Sequence, residues 1–139
     1  MSTRLFVDTN IWVYAHLESE ETKHHEANRL VELAVQPMVI STQVLNEYYA
    51  AMLKNRMTDE WIQTNIEAMI EYCEIQLITL STIRLAHRIK MRYRFSYWDS
   101  LIVASALESG CGVLYSEDLQ SQQQIENQLE ILNPFKFNS

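Results

Sequence analysis

Four acidic residues, Asp8, Glu47, Asp99 and Asp118, stand at the edges of apolar segments or inside them, although they are scattered along the chain. Asp8 closes Leu5-Phe6-Val7, and Glu47 lies within Val44-Leu45-Asn46-Glu47-Tyr48-Tyr49. Asp99 opens the run through Leu101-Ile102-Val103-Ala104, and Asp118 follows Val113-Leu114-Tyr115-Ser116. Carboxylates brought together in a partly desolvated place push one another's pKa upward and cannot all stay ionised without a cation. A divalent metal resolves the conflict. Oxygen-only ligands select a hard ion, so Mg²⁺ or Mn²⁺ is the expected occupant and zinc is disfavoured.

Each acid also has a plainer explanation. Asp8, in Val7-Asp8-Thr9-Asn10-Ile11, fits a helix cap. Glu47 fits a polar position on a solvated helix face. Ser96-Tyr97-Trp98-Asp99 fits a capping box, with a Ser at the cap and an acid three positions on. Asp118 could belong to an acidic turn, with Glu117 as the functional acid in its place. One shared cause for all four is the more economical account.

The elements that must position these residues follow from periodicity. Short β-prone runs occur at residues 5–7, 38–40, 75–80, 113–115 and 129–132. Segments of helical period fall at residues 10–17, 24–35, 42–55, 58–73, 82–92 and 97–109. The last is apolar so far round that it should be buried, and Gly110 stands where a helix stop belongs. Strands alternating with helices predict a mostly parallel sheet covered on both faces. In such sheets ligands bind beyond the carboxyl ends of the strands. That edge is where the ends of the first and fourth runs, the helix after the second and the start of a late helix place the four acids.

The 139 residues predict one domain, 1–139, large enough to bury a core without disulfides. Two prolines and two glycines leave little material for a linker, and only residues 120–128 read as polar and flexible. No signal-peptide pattern or transmembrane-length run is present, so a soluble, cytoplasmic protein is expected. Cys73 and Cys111 lack the spacing of zinc ligands and read as reduced, buried thiols.

The formal charge of −7 argues against a general nucleic-acid binder. Its distribution is uneven, because Arg84, Arg88, Lys90, Arg92 and Arg94 form a strip with no acid among them. The strip could guide a phosphate backbone toward Asp99, or be a solvated helix face. Most of Tyr14, Tyr48, Tyr49, Trp61, Tyr93, Tyr97 and Trp98 are read as core or subunit-contact residues in preference to base-stacking ones.

Phe6-Val7-Asp8-Thr9-Asn10, Ser41-Thr42-Gln43-Val44-Leu45-Asn46-Glu47, Tyr97-Trp98-Asp99-Ser100-Leu101-Ile102 and Leu114-Tyr115-Ser116-Glu117-Asp118-Leu119 together resemble the PIN-domain family. Within it, the chain resembles the toxin ribonucleases of the VapC type, over essentially its whole length. The resemblance implies a three-layer α/β/α sandwich around a central, mostly parallel sheet. It implies Asp8, Glu47, Asp99 and Asp118 as metal-binding acids, with Asn10 and Ser116 as hydrogen-bonding supports behind them. It further implies Mg²⁺- or Mn²⁺-dependent endonucleolytic hydrolysis of RNA, a homodimer, and a cognate antitoxin as the toxin's partner in a type II pair. Asp8 and Asp99 would be principal ligands, with Glu47 a ligand or orienter of the attacking water. Asp118 would serve a second metal or water on the metal. Ser121-Gln122-Gln123-Gln124 departs from the family, where a Gly-Gln pair is common after the Asp-Leu-Gln.

Two other classes remain in view. A catalytically inactive PIN-fold interaction module would keep the fold without the chemistry. A metal-dependent phosphotransfer enzyme also uses an Asp at a strand end, but Asn10 stands where a phosphatase would need a second Asp, and no Lys closely follows residues 113–115. Glycine-rich phosphate-binding loops are missing, which argues against a nucleotide cofactor.

Overall fold

A computed structural model describes residues 4–136. The chain runs β1 (Leu5–Val7), α1 (Thr9–His16), α2 (Glu21–Leu33), β2 (Met38–Ser41), α3 (Thr42–Lys54), α4 (Asp59–Tyr72) and β3 (Glu74–Gln76). It continues through α5 (Leu80–Tyr93), α6 (Tyr97–Glu108), β4 (Val113–Tyr115), β5 (Gln124–Ile125) and β6 (Leu129–Leu132) to a 3₁₀ turn at Pro134–Lys136. The strands form a sheet of order β3-β2-β1-β4-β6-β5, parallel throughout except for β5 against β6. Helix α1 packs against both α2 and α3, and α3 against α4, while α5 and α6 pair, with α6 against β2 and β4. This is the expected three-layer α/β/α sandwich.

The order of strands explains where a ligand must go. The chain steps from β1 outward through β2 to β3, then returns to lay β4 on the other side of β1. Between β1 and β4 the direction of winding reverses, and beyond the carboxyl ends of such strands the loops diverge and open a crevice. Phe6, Val7, Val39, Ile40, Leu114 and Ile131 are all fully buried, as expected of strands covered on both faces. Each such side chain contributes roughly 1.5–3 kcal/mol. The Trp12 indole N–H donates to the Val7 carbonyl at 3.2 Å, pinning α1 to the end of β1.

Helix α6 is buried along its length from Ser100 to Leu107. Ala86 of α5 packs with Leu101 and Ala104 of α6, and the small side chains let the two helices approach closely. Ser81 and Thr82 at the start of α5 donate to the Glu108 carboxylate at 2.6 and 2.5 Å. That places a negative charge at the positive end of the α5 dipole.

Three expectations need correction. The β-prone run 75–80 yields only Glu74–Gln76, because Thr79 caps α5 in a reciprocal capping box with Thr82 and the helix takes Leu80 onward. The polar stretch 120–128 is structured. Gln124–Ile125 pairs with β6 through a tight turn in which Glu126 and Asn127 have φ of 53° and 52° and the Gln128 N–H donates to the Ile125 carbonyl at 3.0 Å. Of the two free thiols, Cys111 is buried as expected, but Cys73 is only half-buried. Among the described residues no helix is long and apolar enough to cross a membrane.

Candidate metal centre at the sheet's carboxyl edge

Asp8 follows β1 directly, and its buried carboxylate does two jobs. One oxygen accepts from the Thr9 N–H at 2.7 Å, capping α1, and the other accepts from the Ser116 hydroxyl at 2.8 Å. The capping reading of this residue is therefore met, and its second oxygen remains turned toward Ser116. Burial pushes its carboxyl up to about 7; the Ser116 and Thr9 bonds lower it, and the charges of Glu47 and Asp118 raise it further.

Glu47 projects from α3, which Ser41 starts by accepting the Val44 N–H at 3.3 Å. Its carboxylate accepts from the Thr9 hydroxyl at 2.7 Å and from the Gln43 amide, one turn earlier, at 3.0 Å. Asp99 lies in the first turn of α6, where its N–H donates to the Ser96 hydroxyl at 3.1 Å. The return bond that would complete a capping box is not formed there. Burial raises the Asp99 carboxyl, Ser96 lowers it, and the charges of Asp118 and Glu47 raise it again.

Asp118 is exposed and accepts from the Asn10 amide at 2.9 Å, while its N–H donates to Ser116 Oγ at 3.2 Å. Its neighbour Glu117 faces elsewhere. The Tyr14 hydroxyl donates to Glu117 at 3.0 Å, and Lys23 pairs with it at 2.5 Å. The fold thus sets Glu47 and Asp118 within electrostatic reach of both Asp8 and Asp99 and leaves Glu117 in a separate ion pair. Asn10 and Ser116 stand where the sequence places them, behind the acids. Thr9 and Gln43 were missed, although a hydroxyl beside Asp8 and an amide four residues before Glu47 are the signals for them.

Among the described residues no three His, Cys, Asp or Glu side chains form a ready-made metal cage. The physical reason is visible in the hydrogen bonds. Thr9, Gln43, Asn10 and Ser116 each hold a carboxylate in its own place, which limits like-charge contact. A donor set of carboxylates alone, backed by hydroxyls and amides, suits a hard divalent cation and does not suit zinc.

The basic strip lies along α5 and just beyond it, and all five of its side chains are exposed. Arg92 is tied to Glu126 at 2.9 Å, and Lys90 donates to the Phe95 carbonyl at 3.4 Å. Arg84, Arg88 and Arg94 make no ion pair among the described residues. Of the aromatic residues, Tyr48 is fully buried, whereas the Trp98 side chain is 62% exposed.

An α/β/α sandwich with carboxylates gathered at the switch point of its sheet defines a class of acid-centred folds. The PIN domain family model matches residues 5–127, a span that includes all four acids, and the chain belongs to that family. No curated protein sequence matches it significantly. Among solved structures it is similar to VapC20 of Mycobacterium tuberculosis, a toxin that cleaves the sarcin-ricin loop. The two are 21% identical over 81% of this chain and 88% of that one, with a TM-score of 0.66. A toxin–antitoxin complex from Klebsiella pneumoniae is 16% identical over 94% and 97% of the chains, with a TM-score of 0.70. DNA-bound VapBC from Salmonella typhimurium is 19% identical over 94% and 97%, with a TM-score of 0.65.

Proposed function

We propose that this protein is a Mg²⁺- or Mn²⁺-dependent endoribonuclease of the VapC type, the toxin of a toxin–antitoxin pair. The observation that carries the reading is that Glu47 and Asp118 each act electrostatically on both Asp8 and Asp99 at the switch point of the sheet. Asp8 and Asp99, the two whose ionisation the fold opposes, would hold the metal. Glu47 and Asp118 would complete the set, one orienting the attacking water and the other facing solvent. When bound, the metal offsets charge on the phosphodiester and leaving oxygen and favours ionisation of water.

The chain's own residues do the rest. Ser116 and Thr9 fix both Asp8 oxygens, Thr9 and Gln43 fix Glu47, and Asn10 fixes Asp118. Their neutral donors orient the acids without cancelling the charge that a cation needs. Arg84, Arg88 and Arg94 are free to meet a phosphate backbone, and Lys90 and Arg92 would join them on exchanging their present partners. The similarity to toxin–antitoxin complexes supports an antitoxin partner. The same reading takes the protein as a cytoplasmic homodimer built from one domain, residues 1–139.

Purified protein, free of antitoxin, should cut structured RNA in Mg²⁺ or Mn²⁺, stop in EDTA, and leave 5′-phosphate and 3′-hydroxyl ends. Cutting that persists in EDTA, or no cutting across a broad RNA panel, overturns the reading. In the second case the inactive interaction module takes its place.

A further inference from the structure

A cleft of about 450 Å³ opens beside the acids, lined by Thr42, Gln43, Asn46 and Glu47 of α3 with Ile78, Trp98 and Leu101. Its size falls within the range of small-ligand sites, roughly 300–1,000 Å³. Glu47 is both a wall of this cleft and a member of the carboxylate cluster, so an occupant lies next to the reacting centre. Ile78 and Leu101 supply apolar surface. Trp98, the residue before Asp99, exposes a large aromatic ring at the point where a soluble protein has most reason to hide it.

The polar side of the cleft has an unmet need. The Gln43 amide nitrogen donates to Glu47 at 3.0 Å and to the Trp98 carbonyl at 3.1 Å. With both hydrogens committed, the orientation of the amide is fixed and its oxygen is left as an acceptor. That oxygen is sealed from solvent and has no donor among the described residues. Buried acceptors are almost always paired, so this one leaves the cleft wall with an unmet hydrogen-bonding need. Asn46, exposed on the next turn of α3, adds an amide that can both donate and accept.

We infer that this cleft holds the nucleobase next to the scissile phosphate, stacked on Trp98 with its edge read by Gln43 and Asn46. The inference rests on the ribonuclease reading for its occupant, RNA. An aromatic face beside hydrogen-bonding amides is how proteins grip an unstacked base. Binding of the base would place the adjoining phosphate against the acids, and Trp98, Gln43 and Asn46 would set the sequence preference that the carboxylates cannot.

The test separates this pocket from the nuclease reading. In EDTA, where no strand is cut, a short single-stranded oligoribonucleotide should quench tryptophan fluorescence in the wild type and not in Trp98→Phe. Anisotropy with the same oligoribonucleotide should show binding about tenfold weaker for Trp98→Ala, the scale of one lost base stack, and near wild type for Trp98→Phe, which keeps a ring. With metal present, Trp98→Ala should raise KM with kcat little changed, and Asn46→Ala should alter the ratio of kcat/KM between substrates that differ only in that base. Quenching without any metal-dependent cleavage would remove the nuclease and support the pocket. Cleavage with equal kcat/KM for wild type, Trp98→Ala and a substrate lacking that base would keep the nuclease and overturn the pocket. A drop in sedimentation coefficient on Trp98→Ala would overturn it too, assigning the cleft to a contact between two copies of the chain.

Discussion

The two places where this chain concentrates charge are built on opposite principles. At the carboxyl edge of the sheet, like charges are gathered, from buried Asp8 to exposed Asp118, and Asp8, Glu47 and Asp118 are each held by a neutral donor. Along α5, like charges are spread on an exposed face, and three of the five cations make no ion pair among the described residues. Desolvation makes the first arrangement costly and therefore sensitive to any ion or mutation that changes it. The second costs little and answers mainly to salt. A site that must hold a cation needs the former, whereas a surface that must slide along a polyanion needs the latter.

The sharpest way to break the contrast is Asp99→Asn. If Asp99 serves the cluster, cleavage should fall by more than the roughly 10–100-fold typical of losing a residue that merely supports a ligand. The metal-free variant should also melt higher than wild type, because one of the repelling charges is gone, and should lose most of the stabilisation that added Mg²⁺ confers. A variant that melts lower without metal, yet keeps its metal response and its cleavage, returns Asp99 to its helix cap.

Asp8 sharpens the same side. Its carboxyl, raised from 3.8 to about 7, binds a proton in the folded state at pH values where the unfolded chain has released it. Between those two values the folded state holds more protons, so its contribution to stability is present below pH 4 and is lost as pH rises to about 7. The loss is at most about 4 kcal/mol. Melting curves in EDTA from pH 4 to 8 should show Asp8→Asn gaining on wild type as pH rises. A constant gap between the two proteins would mean that Asp8 titrates normally.

Much of this arrangement was legible in the sequence because it depends on residues adjacent in the chain. Asp8 after Leu5-Phe6-Val7 and Asp118 after Val113-Leu114-Tyr115 mark strand ends, and Asn10 and Ser116 sit beside the acids they serve. What the sequence concealed depends on contacts across the fold. Nothing local says that the Thr9 hydroxyl reaches Glu47, or that Gln43 divides its amide between Glu47 and the Trp98 carbonyl. The run 75–80 misled because its apolar residues fit a strand, while the Thr79–Thr82 capping box, a local signal, ends the strand early. Residues 120–128 misled because polar composition hid a turn stabilised by pairing with β6, which is supplied by the next segment of chain.

On the basic side, the expected effects are smaller. Replacing Arg84 and Arg88 by Gln should weaken RNA binding alike for all sequences and reduce the slope of log K against log salt by about one unit per lost phosphate contact. Arg92→Gln should do less at low salt, because Arg92 begins paired to Glu126. Equal salt slopes for wild type and the Arg84/Arg88 double variant would make the strip a solvated face.

The smallest effect expected is at Gln122. Its φ of 69° is a left-handed conformation that only glycine adopts without strain. Gln122→Gly should raise stability by about 0.5 kcal/mol, the remainder of the relief being offset by the greater freedom of the unfolded chain. Chemical denaturation reads the difference. A lower midpoint would show that the Gln122 side chain contributes more than its backbone costs.

The placement of β4 between β1 and β6 has a consequence for the order of events during synthesis. Leu5, Phe6 and Val7 find their partners Val113, Leu114 and Tyr115 more than a hundred residues later, so the middle of the sheet cannot zip until β4 has left the ribosome. Contacts of such sequence separation form late and slowly. Asp8 is made long before β4, but its Ser116 partner and Asp118 follow that later strand. A growing chain can therefore shape its early helices long before it owns all four acids. Hydrogen exchange on stalled nascent chains should show the Asp8 N–H, which donates to the Tyr115 carbonyl, protected only after residue 115 has emerged.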